Sequence, residues 1–162
     1  MLACLLACIL LFTSGCGTKQ AGDEATDGWG ETQSLSVATE WAGLDFDAPA
    51  ESFQLDDGTQ ITLTTYRYRK GIVEALYRGE DYELVLRKSD ALQGLTLAED
   101  QNDYDQEWEE TIGTKSVHCL GDGVHANVTF FDEGGDHFSI TCHIGASDRG
   151  LNADELTAFL TP

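Results

Sequence analysis

The sequence has few basic residues: nine Lys and Arg stand against 29 Asp and Glu, and the formal net charge is −20. Nucleic-acid-binding proteins neutralise phosphates with clustered Lys and Arg, so this charge argues strongly against a nucleic-acid partner. Anionic lipid headgroups should repel the chain for the same reason. The charge is typical of a well-solvated surface outside the cytoplasm.

The sequence also lacks an apolar run long enough to cross a bilayer, which takes about 20 residues. Its N-terminal apolar run, from Met1 to Phe12, is uncharged but shorter than that. Such a length suits the apolar region of a secretory signal peptide. We therefore predict that the run directs export and does not span the membrane.

The end of this region, in LLACILLFTSGCG, resembles a bacterial lipobox. In a lipobox small residues precede the cleavage site, and the cysteine that follows it carries a thioether-linked lipid. The resemblance implies that residues 1–15 are a lipoprotein signal peptide and that Cys16 is lipidated. Thr13 departs from the usual Leu, and the absence of Lys or Arg before the run indicates a start codon further upstream. The alternative is a plain signal peptide with an uninvolved Cys16, whereas a box ending at Cys8 leaves too short an apolar region for export.

Removal of residues 1–15 leaves a mature chain of 147 residues (162 − 15) that keeps every charged residue. A chain of this length forms one domain with a hydrophobic core. After the lipidated cysteine, residues 16–33 are rich in Gly, Thr and acids and show no apolar periodicity. We interpret them as a flexible acidic tether, and residues 34–162 as the single folded domain.

Three β-rich runs between Thr59 and Lys88 are separated by turn signals at Lys70-Gly71 and Gly79-Glu80. Two-residue hairpins at these points predict an antiparallel meander with Arg67 beside Glu74 on a solvated face. The other face is then apolar and aromatic. Its predicted cross-strand neighbours are Tyr66 with Ala75 and then Leu84, Tyr68 with Val73 and then Leu86, and Tyr77 with Tyr82.

Further strands are predicted towards the C-terminus, beginning with residues 106–112. The hairpin signal Asp122-Gly123 pairs Cys119 with Ala126. A second, looser hairpin then places Ala126 opposite Cys142, and by the same register Phe130 opposite Phe138.

Helix signals flank the strands. Ser34 or Ser36 can cap an N-terminal helix that ends at Gly43, and Asn152 can cap a C-terminal helix. We therefore predict an α+β fold, in which an antiparallel sheet of about six strands carries both helices on one face.

The order of several motifs resembles a domain-of-unknown-function family found in lipid-anchored or single-span exported proteins of Gram-positive anaerobes. The motifs are YRYRKGIVEALYRGEDYELVLRK, NDYDQEW, GTKSVHCLGDG, FSITCHI and LNADEL, and the resemblance covers about residues 34–162. It implies export and the architecture above. It says little about function, because the family has no assigned activity and shape alone does not specify function.

Cys119 and Cys142 are the two cysteines of the predicted domain. In an exported protein two cysteines suggest a disulfide. The predicted register opposes one, because it places the side chains two strand spacings apart, about 10 Å, where a disulfide needs about 3.8 Å between β-carbons. Two buried thiols are favoured, although a different strand order would restore the bridge.

The four histidines, His118, His125, His137 and His143, fall within 26 residues and on the face opposite the cysteines. The register places His125 across from His143, with His118 on the diagonal. Imidazoles about 5 Å apart can share Zn²⁺ or Cu²⁺. No HxH, HExxH or CxxC spacing accompanies them, so solvated histidines remain the alternative to this candidate metal site.

The segment from Glu99 to Glu110 holds seven acids in twelve residues, a composition that suits Ca²⁺. However, Trp108 stands where an EF-hand loop needs Gly, and Thr114 where it needs Glu. A solvated acidic loop is therefore favoured. Tyr104 and Trp108 are candidate contacts to a sugar or peptide, unless they pack beneath the loop.

Motifs of nucleophilic catalysis are missing: there is no GxSxG and no SxxK. We therefore predict a non-enzymatic binding or sensing domain without a cofactor, held by lipid on the extracytoplasmic face of the cell membrane. Its partner would be an unidentified protein, peptide or glycan. The alternatives are a metal-handling or enzymatic domain that uses the face of His118, His125 and His143, and a structural subunit of an envelope complex.

Overall fold

The computed structural model describes residues 28–47, 49–91, 104–144 and 149–161. These contain nine strands and two helices. In chain order they are β1 (Gly30–Thr32), α1 (Leu35–Ala42), β2 (Ser52–Gln54), β3 (Gln60–Arg69), β4 (Ile72–Arg78), β5 (Tyr82–Ser89), β6 (Gln106–Ile112), β7 (Lys115–Gly121), β8 (Ala126–Glu133), β9 (Asp136–Ile144) and α2 (Ala153–Leu160).

All strand pairs are antiparallel, and eight strands follow one another across the sheet in the order β1-β3-β4-β5-β9-β8-β7-β6, while β2 pairs with β3 beside β1. The predicted α+β class with an antiparallel sheet is confirmed. The predicted number of about six strands is wrong, because β1 and β2 have only three residues each and so no period to detect. β1 also lies inside the segment predicted as a tether, so the folded part begins before residue 34.

Gly43 and Asn152 act as the predicted caps, whereas Ser34 precedes α1 without a capping hydrogen bond from its side chain. α1 begins after Ser34 and ends at Gly43, whose φ of 73° is the left-handed conformation typical of a C-cap. α2 begins with a capping box, in which Asn152 and Glu155 accept each other's backbone N–H. Within the described residues, neither helix is long and apolar enough to span a membrane.

Alternation along β3, β4 and β5 gives the sheet two faces. The apolar face carries Tyr66, Tyr68, Val73, Ala75, Tyr77, Leu84 and Leu86, all in the core. The polar face carries Arg67, Glu74 and Arg87, which the cross-strand pairs place side by side. Contrary to the prediction, this face is not solvated at its centre: Glu74 is fully buried, and every residue from Ile72 to Tyr77 is buried. On the polar face of β4, the Arg67 and Arg87 side chains from β3 and β5 lie against Glu74.

The predicted register of the first hairpin is confirmed, since Tyr66 faces Ala75, Arg67 faces Glu74 and Tyr68 faces Val73. The register of the second hairpin is wrong by two residues. Tyr77 faces Leu84, not Tyr82; Ala75 faces Leu86, and Val73 faces Lys88. The turn is longer than predicted, with the Gly79 N–H donating to the Tyr82 carbonyl at 2.9 Å. Because the shift is even, every side chain keeps its predicted face.

The register of the third hairpin is wrong as well. Asp122-Gly123 opens a four-residue loop, in which the Asp122 carboxylate accepts the Val124 and His125 N–H groups at 2.8 and 2.6 Å, an Asx-type turn. The loop shifts the register by two residues, and an irregularity between Leu120 and Gly121 adds a third, so Cys119 faces Thr129, not Ala126.

The error carries into the next pair of strands. Phe138 faces Phe131, not Phe130. Ala126 pairs with Gly121 and bridges to Leu151, so it is not the predicted partner of Cys142. Here the shift is odd, so the side chains of β8 exchange faces.

Candidate functional site

A row of side chains crosses the whole polar face, one from each of eight adjacent strands. We call it the charge row. Its members are direct cross-strand neighbours, in the order Glu31, Arg67, Glu74, Arg87, Ser139, Phe130, His118 and Glu109. Four of the five charged members lie on β1, β3, β4 and β5, where acids and bases alternate. Opposite charges directly across a strand pair stabilise a sheet, so this half of the row favours the observed register.

Glu74 is the centre of the charge row. Arg87 donates to its Oε1 from Nε at 2.7 Å and also from Nη2. The Nε of Arg67 lies 3.2 Å from Oε2 of Glu74. That oxygen is buried and accepts no hydrogen bond within the described part of the chain, so the contact with Arg67 is electrostatic. Two guanidinium groups thus hold one carboxylate where water does not reach it.

This burial decides what Glu74 can do. Its exposed fraction is 0%, and that of Arg87 is 6%. A carboxylate that serves as a general base must reach a substrate proton, and Glu74 is inaccessible. A buried ion pair is costly to desolvate but more costly to break, because removing one partner leaves a buried charge. The arrangement therefore fixes charge and register instead of performing chemistry.

Trp29 covers the same corner of the polar face. The guanidinium carbons of Arg67 and Arg69 each lie 4.8 Å from the centre of its ring, within the range of a cation–π contact. Arg67 therefore touches both the indole and Glu74. The short segment Gly28–Thr32, which contains Trp29 and β1, is called the strap below.

A second buried acid, Glu155, fixes α2. Arg149 donates to both of its oxygens at 2.8 Å, and the backbone amides of Asp56 and Asn152 donate at 2.9 and 3.0 Å. Burial alone would raise the pKa of Glu155. The hydrogen bonds from Arg149 and the two amides outweigh burial and lower that pKa below its ordinary value of 4.5. Glu155 thus joins α2 to the turn before β3.

The predicted metal site depended on a register that is wrong. His125 is not in a strand: it lies in the β7–β8 loop, where its Nδ1 is 2.9 Å from Asp122 Oδ2. His118 lies on β7 with Nδ1 2.9 Å from Glu109 and Nε2 3.2 Å from Glu107. His143 pairs through its backbone with Glu83, and its side chain lies outside the described residues. Within the described part of the chain, no three His, Cys, Asp or Glu side chains form a group that could hold a metal ion.

His137 belongs to a constellation that the sequence did not suggest. It is the direct neighbour of Ser89 on one side and of Asp132 on the other, and its Nδ1 lies 2.7 Å from the Asp132 carboxylate. The order Ser, His, Asp is that of a catalytic triad. However, Ser89 is 1% exposed, and its hydroxyl donates to the Ala91 carbonyl at 2.8 Å. The serine proton is thus committed to the backbone and not to His137.

Cys119 and Cys142 are both free and buried. They lie on β7 and β9 with β8 between them, although the residue that faces Cys119 is Thr129. Burial raises the pKa of both thiols, that of Cys142 to about 12. At pH 8 Cys142 therefore holds about a thousandfold less thiolate than a thiol at its ordinary pKa of 9.0.

We expect both thiols to resist iodoacetamide in the native protein at pH 8, because the thiolate is the reactive form. Peptide mapping by mass spectrometry should find Cys119 and Cys142 unmodified after an exposure that labels both in concentrated urea. Rapid labelling of either one without denaturant would contradict this burial. A covalent bond between the two peptides in the unreduced protein would contradict the observed strand order.

The aromatic residues proposed as ligand contacts occupy different environments. Trp108 packs against the core beside Cys119, and its indole N–H reaches Glu110 at 3.4 Å, so it is not an open platform. Tyr104 is half-buried. Asp105 and Glu107 of the acidic segment are exposed, and its residues before Tyr104, including Asp103, lie outside the described part. Nothing in these positions assembles a Ca²⁺ site from described side chains.

Sequence reasoning found the Arg67–Glu74 pair but not the charge row. A usable signal was present: Glu74 stands inside the apolar run of β4, which reads IVEALY, and a lone acid in such a run needs a buried cation. Comparison of the chain with protein-family models, with curated proteins and with solved structures finds no match. The site must therefore be interpreted from its own geometry.

Proposed function

We propose that the chain is a surface-anchored lipoprotein whose single domain binds or senses a partner on the extracytoplasmic face of the cell membrane, without enzymatic activity. The observation that carries the proposal is the apolar run that ends at Cys16 in TSGCG. A lipid on that cysteine would supply the membrane affinity that a chain of net charge −20 lacks. We include in this proposal that the chain belongs to the exported domain-of-unknown-function family.

The position of the first described residue is compatible with an anchor. The first described residue, Gly28, follows Cys16 by 12 positions (28 − 16). Twelve residues span at most about 40 Å, which exceeds the headgroup layer, about 5–8 Å on each side of the bilayer. The domain would thus stand clear of the surface that repels it.

The described side chains support a non-enzymatic role. The two most buried acids, Glu74 and Glu155, are held by arginines, and the Ser89 hydroxyl is committed to the backbone. We also propose that both helices cover the apolar face, since Trp41 of α1 stacks on Tyr68 and Phe159 of α2 contacts Tyr77. The exposed end of the polar face, where Glu109 lies, then remains as the region for a protein, peptide or glycan partner.

We expect the Cys16→Ala variant to leave the membrane fraction when it is expressed in a bacterium that lipidates its lipoproteins. The protein should then appear in the soluble extracytoplasmic fraction or the medium, because the lipid would be its membrane attachment. Cys8→Ala is the matched control, since Cys8 ends the competing box and should leave the distribution unchanged. Retention of Cys16→Ala in the membrane, or release of Cys8→Ala, would contradict the proposal.

A further inference from the structure

The strap is attached to the domain by three paired residues and by the ring of Trp29, which lies against Arg67 and Arg69. Gly30, Glu31 and Thr32 pair with Tyr68, Arg67 and Tyr66, and the Thr32 carbonyl accepts the Thr65 hydroxyl at 3.1 Å. None of the five strap residues is buried, whereas every residue from Ile72 to Tyr77 is. Local opening requires less free energy where burial and backbone pairing are sparse. The strap therefore meets the conditions for opening while the rest of the sheet stays folded.

We propose that the strap opens and closes on the edge of β3 without unfolding of the domain, and that Trp29, acting through Arg67, couples its closure to the buried Glu74–Arg87 pair. The strap thus acts as a conformational device whose position is communicated to the centre of the charge row.

The coupling follows a continuous set of contacts. The indole of Trp29 lies 4.8 Å from the Arg67 guanidinium, whose Nε is 3.2 Å from Glu74. The other oxygen of Glu74 is bonded to Arg87. With the strap closed, Trp29 covers part of Arg67, whose side chain is 28% exposed, and the lower local dielectric strengthens its attraction to Glu74. With the strap open, Arg67 gains further access to water, and that attraction weakens.

The closed position of the strap is specific. A β-carbon on Gly30 would lie 2.4 Å from the ring of Tyr68, so a larger residue at that position would have to displace the ring. Slipping the strap by one residue would place Trp29 or Glu31 there. The closed register therefore places Gly30 against Tyr68 and Trp29 against Arg67 at the same time.

The role of the device in sensing rests on the proposed function. The strap is the first described segment after Cys16, so a pull on the anchor, or a partner that engages the tether, would act on the strap before any other described element. Coupling between two sites is reciprocal: a partner bound at the polar face would change how firmly the strap is held.

The test perturbs one end of the device and measures at the other, in the full chain carrying Cys16→Ala, so that the outcome does not depend on lipidation. Trp29→Leu removes the indole, and Trp41→Leu is the matched control at the same edge, because Trp41 stacks on Tyr68 and not on Arg67. We expect the ¹³C signal of the Glu74 carboxyl carbon to shift in Trp29→Leu and to stay in place in Trp41→Leu. Equal shifts in both variants, or none in Trp29→Leu, would overturn the coupling.

The coupling can also be tested by changing Glu74 and measuring the hydrogen-exchange rate of the strap amides. We expect Glu74→Gln to raise that rate at least about fivefold, the lower end of couplings between sites. Glu83→Gln is the control, since Glu83 lies in an exposed pair with Arg78, and it should change the rate less than about twofold. Strap amides that exchange only through global unfolding would refute the opening itself. If Glu74→Gln does not fold, the comparison of the two tryptophan variants still decides. A negative result for the strap would not affect the proposed anchoring at Cys16, and a negative result for the anchoring would not affect the proposed coupling of the strap.

Discussion

Replacing Glu74 with leucine is expected to lower the free energy of unfolding by about 3–5 kcal/mol. The substitution removes the carboxylate that Arg67 and Arg87 share and leaves the buried Arg87 charge without it. Since a domain is stabilised by about 5–15 kcal/mol in all, the loss should be visible as a large fall in the midpoint of urea unfolding. Circular dichroism of the sheet and tryptophan fluorescence should report the same transition.

The control for this substitution is Glu83→Leu on the neighbouring strand. Glu83 pairs with Arg78 at 3.0 Å, but the Arg78 side chain is 65% exposed, so its loss should cost no more than about 1 kcal/mol. Combining Glu74→Leu with Arg87→Leu should recover much of the stability lost in the single variant, because an apolar pair carries no desolvation penalty. If Glu74→Leu costs no more than Glu83→Leu, the buried pair does not organise the polar face.

Replacing Glu155 with glutamine is the second change with a large expected effect. It should lower the free energy of unfolding by about 2–3 kcal/mol at pH 7, the magnitude of hydrogen bonds to a charged group. Arg149 loses a bidentate carboxylate, and the amides of Asp56 and Asn152 lose a charged acceptor. Asp154→Asn, an exposed acid in the same first turn of α2, should cost less than about 1 kcal/mol.

The same residue predicts a pH dependence. The pKa of Glu155 is lower in the folded protein than its ordinary value of 4.5, so the folded state binds this proton less readily than the unfolded state does. The resulting stabilisation is complete above about pH 4.5 and is lost as the pH falls through the folded pKa. We expect the unfolding midpoint of the natural chain to fall more steeply below pH 4.5 than that of Glu155→Gln. Parallel curves would contradict the assignment.

Local signals predicted those parts of the fold that local chemistry determines. Lys70-Gly71 is a two-residue turn, and the register from Arg69 to Thr65 follows from it. Gly43 ends α1 because its backbone adopts the left-handed conformation. Asn152 begins α2 because its side chain caps the first turn. The predicted two-residue hairpin at Asp122-Gly123 was wrong, because the same residues also favour an Asx turn in a longer loop. Sequence alone showed neither the loop length nor the irregularity between Leu120 and Gly121, whose one extra residue reverses the faces of β8.

The candidate site was predictable only in part, because burial depends on strand order. The pair of Arg67 and Glu74 follows from one local hairpin. The burial of Glu74 depends on the side chains packed around it, Arg67 and Arg87 among them. The extension of the row beyond Arg87 requires β9 to lie beside β5, although the two strands are far apart in sequence. Trp29 was assigned to the tether because three residues of β1 give no periodic signal. Each feature that the sequence did not predict depends on pairing between distant segments, and the residue pattern of one segment carries no information about such pairing.

The most direct test of the proposed function is the intact mass of the protein extracted from the membrane fraction. The proposal predicts a chain that begins at Cys16, lacks residues 1–15 and carries a diacylglycerol group on that cysteine. A soluble mature chain with Cys16 present and unmodified would contradict it.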